Sequence, residues 1–301
     1  MTVGRFAPSP SGRMHLGNVF TALMAWLSVR SQEGKMLLRI EDLDPDRSKQ
    51  EYIDFLRSDL EWLGLDWDEE MPLQSARGGI YQSYFDKLST YPCYCSRSEL
   101  HAASAPHASD GKWIYAGTCR DLTPEERAAK GRTPAWRVRV PEETVCFTDG
   151  VFGEYGENLA TDCGDFILRR SDGVFAYQLA VVCDDALGGV TEVVRGCDLL
   201  SSTPRQLWLY RQLGFSAPRF FHVPLLVAAD GKRLSKRERS LDMAHLRQRC
   251  CPEEILGVLA FAAGFTAQNE QISALELVPL FSFDRLPRTN IHLTADFCDF
   301  L

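Results

Sequence analysis

The chain has 301 residues, 45% hydrophobic and 25% charged, the balance of a water-soluble globular protein with ample material for a core. Its net charge of −8 excludes indiscriminate coating of nucleic acid and leaves room only for a local, salt-sensitive basic patch. No apolar run reaches the ~18 residues of a membrane span, since Gly257 and Gly264 interrupt the longest candidate. No signal peptide opens the chain, so a cytoplasmic location is expected. Ten cysteines without a secretory signal point to reduced thiols and a metal site in place of disulfides.

Residues 2–8 read as a short strand ending at Pro8. Residues 15–33 carry Leu16, Val19, Phe20, Leu23, Met24 and Leu27 at helical spacing, with Gly34 as a stop. The run 35–42 suits a buried strand, and 48–63 a second helix with Tyr52, Ile53, Leu56, Leu60 and Leu63 on one side. Strand, helix, strand, helix is the pattern of a parallel sheet. Periodicity fades over 92–134, where Ser, Ala, Pro, Gly and Cys dominate, as in an inserted module. "AWRVRV" (135–140) alternates like a half-exposed strand. A sheet-like set is expected from "DFILRR" (165–170) through "FAYQLAVVCDD" and "VTEVVRG", with helices from 240 to the end. The fold class expected is α/β: a parallel-sheet catalytic domain split into 1–88 and 165–230. An insert spans 89–164, and a loop with a helical subdomain spans 231–301.

The opening turn "RFAPSPSGRMHLGN" (5–18) joins a strand to a helix. Its backbone N–H groups and His15 form a candidate phosphate site. Pro8 and Pro10 stiffen the approach, while Gly12 and Gly17 allow close contact. His15 and Asn18 share a face of the first turn. A histidine there can also do no more than cap its own helix. Late in the chain, "KRLSKR" (232–237) offers Arg233, Ser235 and Lys236 in a compact loop, cations suited to the charge that builds on a triphosphate during displacement. The surrounding segment 231–249 has seven Lys/Arg against two acids, which by itself would be a solvated basic face.

The H-x-G-N turn and the R-L-S-K loop, in this order and context, resemble the two signatures of class I aminoacyl-tRNA synthetases. "RFAPSPSG", "RIEDLDPDR" (39–47), "YQLAVVCDD" and "VVRGCDLLSSTPRQ" (193–206) resemble glutamyl-tRNA synthetase blocks over most of residues 3–240. That resemblance implies a Rossmann-type catalytic domain. It also implies a glutamate site at Arg5, Phe6, Ala7, Pro8, Ser9, Glu41, Tyr177 and Arg195. The chemistry agrees: guanidinium groups clamp carboxylates in bidentate fashion, Glu41 suits the ammonium, and Tyr177 can close the pocket with its hydroxyl. The resemblance further implies ATP contacts at His15, Gly17, Asn18, Arg233, Ser235 and Lys236, with His15 and Lys236 as catalytic groups and Mg²⁺ carried by ATP; Asp198, three residues after Arg195, is a candidate contact to the ATP ribose. Arg233 stands where the signature has lysine, which keeps the charge but not its point-like character.

The chain ends 65 residues after Lys236, too few for a large anticodon-binding region. This resembles the short paralogues, the glutamyl-queuosine tRNA(Asp) synthetases, for which "RIEDLDP" is also the better fit. The resemblance implies that glutamate is activated with ATP without tRNA and then passed to the queuosine base of tRNA(Asp). It also implies a structural Zn²⁺ held by Cys93, Cys95, Tyr115 and Cys119. Three thiolates and one further ligand suit tetrahedral zinc, and His101 and His107 are rival fourth ligands. Such a clip would hold an insert too poor in apolar residues to fold by burial alone. Cys146, Cys163, Cys183, Cys197, Cys250, Cys251 and Cys298 are expected to be buried small hydrophobes. A monomer is the expected state. Rival readings are a truncated glutamyl-tRNA synthetase charging a 3′ end, a nucleotidyltransferase using another acid, and a non-catalytic RNA-binding relic.

Overall fold

The computed structural model describes residues 1–96, 114–228, 230–231 and 241–293. Strand β1 (Val3–Phe6) pairs in parallel with β2 (Lys35–Leu38), and β2 with β3 (Glu69–Glu70). Helix α1 (Leu16–Arg30) makes the crossover from β1 to β2, and α2 (Gln50–Trp62) the next one, as parallel pairing requires. On the other side of β1 runs β9 (Glu192–Gly196), tied to it by Thr191 N–H donating to Val3 O at 2.9 Å. Beyond it β10 (Arg219–Val223) pairs in parallel with β9.

Successive strand residues face opposite sides of this sheet. Met36, Leu38 and Val194 enter one core with the buried faces of α1 and α2. Leu37, Val193 and Phe220 enter a second core with helices α3 (Gly78–Phe85), α5 (Tyr177–Leu187) and α6 (Thr203–Gln212). Both faces are covered, which is why these strands read as continuous apolar runs. Among the described residues no helix is long and apolar enough to cross a membrane.

Between the sheet halves lies a separate antiparallel unit. Strands β4 (Thr90–Cys93), β5 (Ala135–Val138) and β8 (Ile167–Arg169) form one sheet. Strands β6 (Thr144–Asp149) and β7 (Gly153–Asn158) form a hairpin, and α4 (Pro124–Ala128) is a short capped turn. After β10 come β11 (Leu226–Ala228), α7 (Met243–Arg249), α8 (Pro252–Ala262) and α9 (Ala274–Leu277). Strand β12 (Ile291–Leu293) then returns to pair in parallel with β11.

Two expectations need correction. "FAYQLAVVCDD" is not sheet-like: Tyr177–Leu187 is helical. Leu179 to Asp185 are all buried, so the helix has no polar stripe and its β-branched run mimics a strand. The segment after 240 is not helical to the end, because β12 closes it against β11. The hairpin β6–β7 went unread.

Candidate active site and thiol cluster

The sheet changes direction of construction between β1 and β9, since the chain leaves β1 toward β2 and returns to β9 on the far side. Such a switch point opens a crevice at the carboxyl ends of the strands. There, one sheet face presents Arg39 just past β2, Arg5 on β1, Arg195 on β9 and His222 on β10, each two residues from a strand residue of the second core or from that core's partly buried rim. Helix α5 lies against this face and supplies Asp185 and Tyr177.

The arginines are buried and unequally compensated. Asp185 Oδ1 accepts from Arg5 Nε at 3.2 Å and from Arg39 Nη1. Burial opposes its ionisation, but Arg39 and Arg5 hold its carboxyl below the usual range. Arg39 also donates to Glu41 Oε1 at 3.0 Å. Burial nonetheless pushes the Glu41 carboxyl up, against the pull of Arg39 and Arg5. Arg195 has no carboxylate partner among the described residues. It donates to His222 Nε2 (3.0 Å), Tyr177 Oη (3.5 Å), Thr203 Oγ1 (2.8 Å) and Leu199 O (3.4 Å). Burial lowers its pKa. Three arginine cations thus face two direct carboxylate partners. A buried cation without a counter-ion is costly, and an anionic ligand would relieve that cost.

A cavity of about 460 Å³ collects Arg5, Phe6, Ala7, Pro8, Ser9, Glu41, Tyr177 and Arg195 together with Asp198, so all eight expected glutamate residues line one space. A second cavity, about 320 Å³, is lined by His15, Gly17, Asn18, Thr21, Gly196, Asp198 and Leu225. Asn18, Thr21, Gly196 and Asp198 line both, so the two adjoin. The space at Gly196 is tight: a Cβ on it would meet Asp198 Oδ1 at 2.6 Å and Leu225 Cδ2 at 3.0 Å, so both side chains would have to shift.

The opening turn differs from a bare helix terminus. His15 is the N-cap of α1, and its Nδ1 accepts from Gly17 N–H at 3.1 Å. His15 O accepts from Asn18 N–H at 2.8 Å, and Asn18 Oδ1 accepts from His15 N–H at 3.1 Å. The N–H groups of Gly17 and Asn18 are therefore already engaged. Capping uses Nδ1 of the ring. With Nδ1 accepting, the ring proton sits on Nε2, which makes Nε2 the donor. Arg233, Ser235 and Lys236 lie outside the described residues. The chain that follows them returns to this turn: His15 bridges Asp242, and Met243 N–H donates to Met14 O at 2.9 Å.

In the antiparallel unit, the Sγ atoms of Cys93, Cys95 and Cys119 lie within 4.8 Å of one another, a grouping that could hold a metal ion. Cys95 Sγ is 3.6 Å from Cys119 Sγ, and Tyr115 Oη is 3.5 Å from Cys93 Sγ and 4.0 Å from Cys95 Sγ. Ligands at Zn–S ≈ 2.3 Å in a tetrahedron are roughly 3.7 Å apart, so the donor set fits zinc in type and size. Cys119 N–H donates to Tyr115 Oη at 2.7 Å and so fixes that oxygen. Burial and the neighbouring Cys119 and Cys93 push the Cys95 thiol up to about 12, because adjacent thiolates repel when no cation compensates them. His101 and His107 lie outside the described residues. Among the described residues the local core is Tyr91, Cys93, Tyr115 and Cys119 with partly buried Tyr94, Cys95 and Leu122, short of aliphatic side chains.

The other cysteines correct the expectation of uniform burial. Cys163 and Cys183 are buried, Cys197, Cys250 and Cys251 are half-buried, and Cys146 is exposed on the β6–β7 hairpin. Cys298 lies outside the described residues. The sequence reading missed Arg39, Asp185, His222 and Asp149. For Arg39, Asp185 and His222 the signal was a polar or charged residue inside an apolar run ("LLRIED", "AVVCDD", "RFFHV"), which a buried strand or helix tolerates only when that residue is paired; Asp149, at the end of "VCFTD", gave no such signal.

A profile of the tRNA synthetases class I (E and Q), catalytic domain, matches residues 1–290. A protein of Symbiobacterium thermophilum named glutamyl-Q tRNA(Asp) synthetase is 47% identical over 98% of this chain and 97% of its own length. One of the same name from Deinococcus radiodurans is 49% identical over 93% of this chain and 97% of its own. The crystal structure of a glutamate tRNA ligase from Elizabethkingia meningosepticum, in complex with its amino acid, superposes with a TM-score of 0.83. It is 27% identical, and the match covers 99% of this chain and 68% of that one.

Proposed function

Because the chain belongs to the glutamyl-Q tRNA(Asp) synthetase family of class I tRNA synthetases, we propose that it activates glutamate with ATP, without tRNA, and then transfers it to the queuosine base of tRNA(Asp). The observation that carries the amino-acid half is Arg195, a buried guanidinium without a carboxylate partner among the described residues, opening on the same cavity as Arg5, Glu41 and Tyr177. In this reading Arg195 and Arg5 receive the two carboxylates, and Glu41 receives the ammonium. Ser9, Tyr177 and the backbone of Phe6, Ala7 and Pro8 shape the remaining wall. The ligand carries net charge −1, which balances the surplus of cations.

ATP takes the adjoining cavity. His15 Nε2 donates to its phosphates and the dipole of α1 favours their charge, while Asp198, shared by both cavities, contacts the ribose. The glutamate carboxylate attacks the α-phosphorus and pyrophosphate leaves with its Mg²⁺. Lys236 with Arg233 neutralises the charge that develops, and Ser235 contacts ATP through its hydroxyl. No protein nucleophile is required, so positioning and electrostatics supply the rate. A hydroxyl of the acceptor then attacks the mixed anhydride and AMP departs.

Cys93, Cys95, Cys119 and Tyr115 would hold Zn²⁺, which when bound ties the thiolates and the phenol oxygen into one rigid clip. Domain limits of 1–88 with 165–230, 89–164 and 231–301, a cytoplasmic location and a monomer complete the reading.

Two assays test it. Glutamate-dependent ATP–pyrophosphate exchange should proceed without tRNA, and labelled glutamate should enter tRNA(Asp) only when queuosine is present. Charging of unmodified tRNA(Glu) would instead mark a 3′-end synthetase, and absence of exchange with any amino acid would mark a relic.

A further inference from the structure

His222 and Arg195 are direct register partners on β10 and β9. Arg195 Nε donates to His222 Nε2 at 3.0 Å, so that ring nitrogen bears no proton. The proton is on Nδ1, which donates to Asp149 Oδ2 at 2.6 Å. Asp149 is fixed in turn. Its Oδ1 accepts from Val151 N–H (3.0 Å) and Phe152 N–H (2.9 Å), and the carboxylate also takes the N–H of His222. His222 and Asp149 are fully enclosed, with both side chains at 0% exposure, so solvent cannot replace either partner. Phe220 stacks near-parallel to the imidazole at 6.3 Å.

We propose that Asp149 and His222 are positioning residues that aim Arg195 at the substrate carboxylate. The inference rests on the reading of Arg195 as a carboxylate ligand. The relay leaves Arg195 Nη1 and Nη2 directed at Tyr177 and Thr203, with the guanidinium plane set by a neutral acceptor. A carboxylate placed directly on Arg195 would compete with the ligand. A neutral imidazole backed by a carboxylate one residue away orients the arginine while leaving its charge for the substrate, much as an outer partner orients a metal-bound histidine. The relay works in one protonation state. The groups facing the ring are Asp149 from β6, Arg195 from β9 and the neutral Thr203 hydroxyl from α6, with Arg5 acting from β1. A second proton on the ring removes the acceptor and sets two cations against each other.

The test is tRNA-independent ATP–pyrophosphate exchange by the whole chain. His222→Leu should raise the KM for glutamate at least tenfold and leave the KM for ATP within twofold. His222→Gln, which can still offer an acceptor to Arg195, should recover part of the loss. His222→Leu added to Arg195→Ala should cause no further rise. An unchanged glutamate KM in folded His222→Leu, or a parallel rise in both KM values, would overturn the relay. Should His222→Leu fail to fold, Asp149→Asn gives the same readout, and an unchanged glutamate KM there overturns it equally. Arg195→Ala separates the two levels. If it leaves the glutamate KM unchanged, the underlying reading fails and the relay with it. If it raises that KM while His222→Leu does not, the relay alone fails.

Discussion

Arg5 and Asp185, 180 residues apart in the chain, meet at 3.2 Å in a site where both side chains are buried. The same oxygen of Asp185 also serves Arg39, so one carboxylate compensates two arginines, one on β1 and one just past β2. Asp185→Asn should therefore leave two buried cations short of a partner and destabilise the fold by about 3–5 kcal/mol. Denaturant unfolding of the purified variant measures this; a change below about 1 kcal/mol would refute the account.

Glu41 lines the amino-acid cavity, and among the described residues its carboxylate takes a hydrogen bond only from Arg39. Glu41→Gln should raise the KM for glutamate in the exchange assay by roughly 10- to 100-fold, the scale of a lost charged hydrogen bond. Inhibition by glutarate, which has both carboxylates but no amine, should be unaffected. An equal loss for glutarate would mean that Glu41 acts through Arg39 and not on the ammonium.

The Asp149–His222 pair makes stability depend on pH. Burial lowers the His222 pKa, with the bond to Asp149 opposing it. Burial resists ionisation of Asp149, but His222 and the N–H groups of Phe152 and Val151 hold its carboxyl below the usual range. Below about pH 6.5 the unfolded chain takes up a histidine proton that folded His222 refuses. The unfolded state then binds more protons, so stability falls as pH falls. The melting temperature should drop between about pH 7.5 and 5.5, and His222→Gln should flatten that slope. A slope unaltered in the variant would place the titration elsewhere.

Cys95→Ser should remove bound zinc and loosen the antiparallel unit. Purified wild-type protein should carry one zinc per chain by elemental analysis, and the variant well below that. Proteolysis should be faster in the variant within residues 89–164. Stoichiometric zinc in the variant would exclude Cys95 as a ligand.

Much of the site was legible because its residues sit in motifs beside turns, where chemistry is not masked by packing. Ser9 and Glu41 follow strands and precede helices, His15 and Asn18 open α1, and the C-x-C and Y-x-x-x-C pairs stand out in a segment without periodicity. The residues that escaped are in strands and helices buried on both faces. Arg39 is a lone charge between Leu38 and Ile40, and Asp185 closes the apolar run before it together with Asp184; the bond between the two spans 146 residues and that from Arg5 to Asp185 spans 180, distances no local pattern covers. Helix α5 escaped for the same reason: buried all round, it offers no period to read. His15 shows the opposite limit. The sequence presented capping and phosphate donation as rivals, and the structure shows the cap: Nδ1 accepts from Gly17 N–H, which places the ring proton on Nε2.

Lys236→Ala should depress exchange by orders of magnitude while leaving the melting temperature nearly unchanged. The reason lies in how the chain is joined on either side of the signature loop. Before it, β11 is paired to β12. After it, Asp242 and Met243 are bonded to Met14 and His15. Both shores are moored by contacts that do not run through residues 232–240. A single proteolytic cut within that stretch should thus give two fragments that still co-migrate in native conditions and separate only in denaturant. Activity should be lost without dissociation, because the pairing of β11 with β12 and the bonds of Asp242 and Met243 to the opening turn join the two fragments.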